Sequence, residues 1–356
     1  MKKDNERHRR HEKVVPVFTS TLLQWYSQNG RSLPWRDTSD PYPIWLSEVI
    51  LQQTRIQQGW AYWERFMHRW PTVEQLASAT EDEVLRLWQG LGYYSRARHL
   101  HEAARQIVKQ GGFPKGYASI RQLKGVGDYT AAAIASFAFG EPVAVVDGNV
   151  FRVLARVFGV DVPINTTEGK KTFTTLANEL MAKDQPAAYN QAIMDFGAVQ
   201  CTPKSPRCEL CPMIEMCEAR HSQRVDELPR KTQKVAVKTR FFSYVLLRCG
   251  EYIVVRKRPA GDIWQGLWEP YLLETETKAG VDVVTQHCQE WGVPSLVKED
   301  VRHVLTHRVI LADFYLIESS NRPSLPEGYV WVGESLWDDY AKPRLIEILM
   351  DGVCYG

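Results

Sequence analysis

The stretch Leu123-Lys-Gly-Val-Gly-Asp-Tyr-Thr-Ala131 places two glycines directly before an alanine-rich run of helical character, Thr130 to Phe139. Glycines let the backbone approach a phosphate closely, and the first turn of the following helix presents unpaired amides to it. Eighteen residues beyond Tyr129 stands Asp147, within Val145-Val-Asp-Gly-Asn-Val150. Taken separately, the first segment is equally typical of a plain helix-helix turn, and the second favours a helix cap.

Four of the seven cysteines lie close together, in Cys201-x6-Cys208-x2-Cys211-x5-Cys217. Four thiolates at this spacing can converge on one centre, either a 4Fe-4S cluster or a structural zinc ion. Zinc ribbons usually pair two CxxC knuckles across a longer loop, whereas this stretch has one knuckle. Iron-sulfur is therefore favoured, and zinc stays open because ligand type alone does not choose the metal. The clustering also indicates a reducing compartment rather than a disulfide framework.

Charge is unevenly distributed along the 356 residues, although the net charge is only +2. Residues 1–240 carry 33 of the 44 Lys and Arg but 25 of the 42 Asp and Glu, which suits contact with a polyanion through the front part. A solvated basic tail would account for much of this excess. Because the chain has no apolar run of membrane-spanning length and no leader pattern, we expect a cytoplasmic protein without a membrane partner.

The chain divides into a helical front part and a β-rich back part. Apolar residues recur at helical spacing from Val17 to about Gln223, and Thr80 with Glu83 has the form of a capping box. We predict an all-α domain over residues 1–228, a basic linker over 229–240 and a mixed α+β domain over 241–356. The predicted elements of the last domain are strands at Phe241 to Leu247, Tyr252 to Arg256, Val309 to Ile317 and Tyr329 to Val332, and a helix within Glu334 to Met350.

Taken together and in this order, the Gly-Val-Gly turn, the Val-Asp-Gly-Asn-Val segment and the cysteine loop resemble the helix-hairpin-helix DNA glycosylases of the endonuclease III superfamily. At the position of Tyr129, relatives that also cleave the DNA backbone carry a lysine that forms a Schiff base, and tyrosine cannot do that chemistry. The chain therefore resembles the monofunctional MutY family of adenine DNA glycosylases. Further matches to that family are Leu33-Pro-Trp-Arg36, Trp45-Leu-Ser-Glu-Val-Ile-Leu-Gln-Gln-Thr-Arg55 and Gly90-Leu-Gly-Tyr-Tyr-Ser-Arg96.

This resemblance implies an N-terminal all-α helix-hairpin-helix glycosylase fold and a C-terminal α+β nudix-like domain. The hairpin would lie at about residues 119–139 and the iron-sulfur cluster loop at 201–217. In the C-terminal domain, Trp264-Gln-Gly-Leu-Trp-Glu269 matches the family, whereas Thr285 to Gly292 keeps only Glu290 of the nudix magnesium ligands, so we expect no nudix hydrolase activity. The lesion-reading Phe-Ser-His of the family reads Leu305-Thr306-His307 here.

The resemblance also implies four catalytic residues. Glu48 would be the general acid, because an anionic purine is a poor leaving group, and an ionised Asp147 would stabilise the oxocarbenium-like sugar. Such a division requires surroundings that push the two pKa values apart. Tyr129 and Asn149 would orient these groups. By residue type alone, Glu48 could equally be an exposed helix carboxylate and Asn149 a turn residue.

Residues around an extruded base should be aromatic, apolar or amide in character. For several of them, ordinary core packing is the competing interpretation. Lys204 and Arg207 in the cysteine loop have two interpretations, phosphate contacts and solvated surface charges. By resemblance the adenine pocket comprises Arg31, Trp35, Leu51 and Gln191. By resemblance the residues that contact DNA or the lesion are Gln53, Thr54, Leu91, Tyr93, Gly125, Gly127, Thr306 and His307.

The implied function is hydrolysis of adenine mispaired with 8-oxoguanine or guanine in double-stranded DNA, as a step of base excision repair. We expect a monomer with a 4Fe-4S cluster and no catalytic metal. One alternative is a bifunctional pyrimidine or mismatch glycosylase-lyase, against which the absence of a lysine at Tyr129 argues. Another is a non-catalytic iron-sulfur protein that binds damaged DNA, against which Glu48 and Asp147 argue.

Overall fold

A computed structural model describes residues 2–232, 237–351 and 353. The described residues form two compact units that do not follow chain order. The first lies within Met1–Gly59, Thr72–Glu74 and Glu102–Gln233. The second lies within Trp60–Pro71, Gln75–His101 and Lys234–Gly356. The predicted basic linker falls partly on residues 233–236, which lie outside the described residues.

Helices dominate the first two thirds of the chain and strands the last third. The helices are α1 (Lys2–Asn29), α2 (Pro41–Ile50), α3 (Ile56–Arg69), α4 (Val73–Ser78), α5 (Glu81–Trp88), α6 (Ser95–Lys109), α7 (Tyr117–Ile120), α8 (Asp128–Phe139), α9 (Gly148–Phe158), α10 (Thr167–Glu179), α11 (Pro186–Asp195), α12 (Glu218–His221), α13 (Val281–Cys288) and α14 (Arg344–Met350). The strands are β1 (Lys238–Cys249), β2 (Tyr252–Lys257), β3 (Trp268–Glu269), β4 (Tyr271–Thr275), β5 (Ser295–Val304), β6 (Arg308–Glu318) and β7 (Tyr329–Gly333).

The first unit contains the predicted helix-hairpin-helix. Between α7 and α8 the chain turns through Gly125, whose φ of +73° is a conformation that glycine adopts without strain. The N–H of Ala131 then bonds the carbonyl of Gly127 at 2.9 Å and starts α8. Elsewhere in this unit a buried core packs α1, α9 and α10 together, with Phe18, Leu154 and Phe173 among its members.

The second unit is a mixed seven-stranded sheet with apolar residues on both faces. Its main strand order is β3-β2-β1-β6-β5, with β4 added to β1 and β7 to β2, and β1 runs parallel to β6. Alternate residues of β1 enter two cores. Tyr244 packs in one core with residues of α14, and Val245 packs in the other with residues of α13. This double burial explains why the strand reads as a continuous apolar run.

The predicted fold class is confirmed, with differences in detail. The capping box at Thr80 and Glu83 is present, with the Glu83 N–H bonding the Thr80 hydroxyl oxygen at 3.2 Å. The predicted helix within Glu334 to Met350 is confirmed as α14, and a 3-10 helix at Glu334–Asp339 precedes it, with Pro343 between the two. Strand β5 was not predicted, since it is an exposed, charged edge strand without an apolar pattern. Within the described ranges, no helix is both long and apolar enough to cross a bilayer.

Candidate active site

Glu48 is a buried carboxyl group on an apolar helix. The Asp40 side chain caps α2 by accepting the Tyr42 N–H at 2.9 Å, and every residue from Tyr42 to Ile50 is buried. Glu48 itself is 7% exposed. Burial raises the pKa of Glu48 to about 7, against the opposing effects of a hydrogen bond from Tyr129 and the charge of Arg36. Glu48 is therefore not an exposed helix carboxylate.

Asp147 is both a helix cap and a member of the site. Its Oδ1 accepts the backbone N–H groups of Asn149 and Val150 at 2.8 and 2.7 Å, which makes it the N-cap of α9. Its Oδ2 accepts the Asn149 side-chain amide at 2.8 Å. Burial raises the pKa of Asp147, and the hydrogen bonds from Val150 and Asn149 oppose that rise by favouring the charged form.

The four predicted catalytic residues come together from three helices. The Tyr129 hydroxyl on α8 bonds the Glu48 carboxyl, and burial, followed by the charges of Glu48 and Asp147, raises the pKa of Tyr129. The charge of Asp147 also raises the pKa of Glu48, because it disfavours a second negative charge beside it. The site thus contains one carboxyl group with a single hydroxyl donor and another with three N–H donors.

Two of the four predicted pocket residues belong to one polar group. Arg31 donates from Nε to Asp195 Oδ1 at 2.9 Å, and its backbone N–H donates to Oδ2 at 2.9 Å. Gln191 accepts the Tyr26 hydroxyl at 2.7 Å through Oε1, which leaves its amide N–H groups for another partner. Trp35 is buried in the 3-10 helix Pro34–Arg36, and Leu51 is the partly buried C-cap residue of α2.

Sequence reasoning missed Arg36 and Asp195. Asp195 is fully buried and receives Arg36 in a bidentate pair, with Nη1 to Oδ2 at 2.9 Å and Nη2 to Oδ1 at 2.8 Å. The one local signal was that Asp195 follows Gln191 by four residues, which places both on the same face of α11. Nothing local indicates that Asp195 pairs with arginines 159 and 164 residues away.

Arg152 connects the catalytic helix to the cysteine loop. Its Nη2 donates to Asn149 Oδ1 at 2.8 Å and to the Gly197 carbonyl at 2.6 Å, and its Nε donates to the Cys201 carbonyl at 2.7 Å. At Gly197 a Cβ atom would lie 2.6 Å from the Asn149 Cβ. Only glycine therefore fits at this crossing of the chain.

The cysteine loop begins after a π-helical turn at Phe196–Gln200. Its four thiols are all partly buried and free, and Cys201 interacts electrostatically with Cys208, Cys211 and Cys217. Among the described residues, no three Cys, His, Asp or Glu side chains have the arrangement of a single-metal site. Four soft thiols in one partly buried neighbourhood, with the Arg156 guanidinium 3.5 Å from the Cys201 sulfur, fit an iron-sulfur cluster by donor type and by charge.

The predicted DNA-contacting residues fall in both units. Gln53, Thr54, Gly125 and Gly127 belong to the first unit, and Gln53 has an unusual positive φ of +57°. In the second unit, Thr306 and His307 form the exposed two-residue turn between β5 and β6, closed by the Leu305 N–H bonding the Arg308 carbonyl at 2.8 Å. The other two predicted DNA-contacting residues in the second unit are Leu91, which is buried, and Tyr93, which is 45% exposed.

Tyr93 lies against the β5–β6 turn. Its hydroxyl lies 2.5 Å from the Thr306 hydroxyl, and its φ is +47°. A non-glycine residue in this backbone region is held there by its surroundings, often at functional sites. Tyr93 and Thr306, 213 residues apart in sequence, thus form one exposed feature of the second unit.

Three parts of the chain match models of known protein families. Residues 46–179 match the model of the HhH-GPD superfamily base excision DNA repair protein, residues 201–217 the iron-sulfur binding domain of endonuclease III, and residues 243–352 the NUDIX domain. The structure of a thermostable thymine-DNA glycosylase aligns with 59% of this chain and 98% of its own at 32% identity and a TM-score of 0.56. The chain is therefore a base excision DNA repair protein of the helix-hairpin-helix class, with an iron-sulfur binding loop.

Particular relatives narrow this class to one family. The adenine DNA glycosylase of Mus musculus is 31% identical over 92% of this chain and 75% of its own length. That of Buchnera aphidicola subsp. Baizongia pistaciae (strain Bp) is 35% identical over 71% of this chain and 72% of its own. The chain belongs to the adenine DNA glycosylase family. The adenine DNA glycosylase of Homo sapiens is 44% identical over 60% of this chain, and the match spans 41% of that relative's length.

Proposed function

We propose that the protein is a monofunctional adenine DNA glycosylase, which releases adenine mispaired with 8-oxoguanine or with guanine from double-stranded DNA and leaves an abasic site. It acts as a monomer in base excision repair. The observation that carries this proposal is the meeting of Glu48 and Asp147 in one site with unlike hydrogen-bond partners. Family membership supports the choice of adenine.

The two carboxyl groups divide the reaction. Glu48, protonated below a pKa of about 7, donates its proton to a ring nitrogen of the extruded adenine. The C1′–N9 bond then breaks, its electron pair stays with the neutral base, and positive charge develops on the sugar. Asp147, held as a carboxylate by its N–H donors, stabilises this charge. Water adds at C1′ and gives up its proton to a carboxylate, so no metal ion is needed.

Tyr129 restricts the chemistry to hydrolysis. Its hydroxyl bonds Glu48 and cannot form the Schiff base that a lysine would form with the sugar. Asn149 fixes Asp147 through the 2.8 Å side-chain hydrogen bond. We therefore expect base release without cleavage of the DNA strand, which separates this function from that of a glycosylase-lyase.

The cysteine loop would hold a 4Fe-4S cluster through Cys201, Cys208, Cys211 and Cys217. Bound there, the cluster would cross-link the four thiolates, and no step of base release passes through it. Arg156 and Arg152 hold the start of the loop through its backbone carbonyls, with Arg156 Nη1 bonding Thr202 at 2.7 Å and Arg152 bonding Cys201. The loop would therefore be firmly positioned behind the catalytic helix.

A second surface would read the strand opposite adenine. Tyr93, exposed and in a strained backbone conformation, would wedge into the duplex, and the Thr306–His307 turn would contact the lesion. Leu91 would support this wedge, while Gln53 and Thr54 would touch neighbouring bases and the glycine turn at 125–127 a phosphate. Arg31, Trp35, Leu51 and Gln191 would line the adenine pocket.

A duplex with a single adenine opposite 8-oxoguanine tests the proposal. Purified holoprotein should produce a site that breaks only after alkali treatment, and Glu48→Gln should produce none. Strand breaks that appear without alkali, together with a covalent adduct trapped by borohydride, would instead indicate a lyase. If neither product forms on the duplex with 8-oxoguanine or with guanine, the proposed function is wrong.

A further inference from the structure

A buried carboxylate, Asp195, pairs with Arg31 of the proposed adenine pocket and bonds to neither Glu48 nor Asp147. Asp195, the last residue of α11, is fully buried and accepts five hydrogen bonds from Arg31 and Arg36, four of them 2.8 to 2.9 Å long and the fifth from Arg31 Nη2 to Oδ1. Taking a carboxylate out of water is costly unless it is fully paired. The pairing here is with two guanidinium groups at once, so the group carries a net charge of +1.

Both arginines connect Asp195 to the proposed reaction site. Arg36 interacts electrostatically with Glu48, while Arg31 stands at the pocket. The Tyr26 hydroxyl, which also interacts with Arg36, bonds the Gln191 amide oxygen at 2.7 Å. Asp195 and Gln191, one helical turn apart on α11, thus anchor the same polar group.

We infer that Asp195 is a positioning residue of the adenine-release site, which fixes the guanidinium of Arg36 near Glu48 and offsets its positive charge. This inference rests on the proposed function. A free arginine beside the general acid would favour its ionised form and remove the proton that the leaving base requires. Asp195 prevents this by engaging both Nη groups of Arg36 in a bidentate pair.

The titratable groups that act on Glu48 lie on or beside three different helices. Tyr129 lies on α8, Asp147 precedes α9, and Arg36 lies in the 3-10 helix before α2. Arg36 is the cation among them. Asp195 influences Glu48 through this arginine, so changes at Asp195 and Arg36 should move the ionisation of Glu48 in opposite directions.

The test is the rate of adenine release in a single turnover, measured from pH 5 to pH 9 on the duplex with 8-oxoguanine. In Asp195→Asn, the positive charge of Arg36 is no longer offset. The pH at which the rate falls on the alkaline side should therefore decrease by about one unit. In Arg36→Gln the fall should move to higher pH. Asp195→Glu, which keeps the charge, should return it toward the wild-type position.

A matched control separates charge from folding. Asp313→Asn removes another buried carboxylate, which accepts the Asp300 N–H at 2.8 Å in the second unit, and it should leave the position of the fall unchanged. If the rates of Asp195→Asn, Arg36→Gln and the wild type fell at the same pH, the inference would be overturned even if the rates themselves dropped. A purely structural role lowers the rate equally at every pH. Failure of the wild type to release adenine would instead overturn the proposed function.

Discussion

Individual side chains create the difference between the two carboxyl groups. Glu48 lies on a helix that is buried on all sides and receives one hydroxyl donor, so burial raises its pKa to about 7. Asp147 is also affected by burial, but it receives three N–H donors of 2.7 to 2.8 Å. Burial thus dominates at the first group, whereas at the second the N–H donors oppose the rise in pKa by favouring the charged form.

This difference predicts a bell-shaped dependence of adenine release on pH. Above pH 7 the rate should fall as Glu48 loses its proton, because its raised pKa places the ionisation there. At low pH the rate should fall again as Asp147 is protonated. Single-turnover rates across this range check the prediction, and a rate that stays level up to pH 9 would contradict the role of Glu48.

Substitutions at Asp147 should separate its two roles. Asparagine caps helices about as well as aspartate, whereas alanine at an N-cap costs about 1 kcal/mol of stability. We therefore expect Asp147→Asn to retain the unfolding free energy of the wild type, and Asp147→Ala to lose about that amount. Both should abolish base release.

Urea denaturation and single-turnover assays measure these two effects. Undiminished adenine release by Asp147→Asn would contradict the catalytic role proposed for Asp147. The affinity of Asp147→Asn for the mispaired duplex is the control for recognition, and it should be near that of the wild type.

Helices and strands were predictable where the signal is local. The Gly125 to Gly127 turn, the capping box at Thr80 and the apolar run of β1 depend on neighbouring residues, and they appear where the sequence predicts them. Strand β5 could not be predicted, because its pairing with β6 compensates for a charged, exposed sequence. The pairing of Asp195 with Arg31 and Arg36 is likewise tertiary and has no local signature.

The crossing of the π-helical turn with α9 predicts that Gly197→Ala is inactivating. The added Cβ would lie 2.6 Å from the Asn149 Cβ and 2.9 Å from its carbonyl oxygen, so the first turn of α9 must shift. A displacement of about 1 Å in catalytic groups can lower a rate about 100-fold, and we expect a loss of that order in adenine release. Gly280→Ala is the control, because no atom lies within 4 Å of its added Cβ.

The proposed catalytic group lies in one unit and the exposed Tyr93–Thr306 feature in the other. Chain order alone predicted a division at the linker, and it could not indicate that residues 75–101 group with the β-rich part. That grouping arises from contacts between residues far apart in sequence, such as Tyr93 with Thr306. Under the proposed function, we therefore expect that recognition and chemistry can be altered separately.

Thr306→Ala should weaken recognition of the lesion and leave the chemistry intact. Loss of one hydroxyl hydrogen bond, worth about 1 kcal/mol, should reduce the preference for 8-oxoguanine over guanine about five-fold. The ratio of adenine-release rates on the two duplexes measures this preference. Thr285→Ala, on α13 in the same unit, should not change the ratio, and an unchanged ratio in Thr306→Ala would contradict a lesion contact.

The N-cap at Asp147 makes assembly of the reaction centre inseparable from folding. The hydrogen bonds that begin α9 are the same bonds that aim and charge this carboxylate. A chain in which that helix has formed has thereby already oriented its aspartate, and a nascent or heat-damaged chain with a frayed first turn would carry no competent site. Under the proposed function, partly folded molecules would therefore lack the oriented aspartate that base release requires.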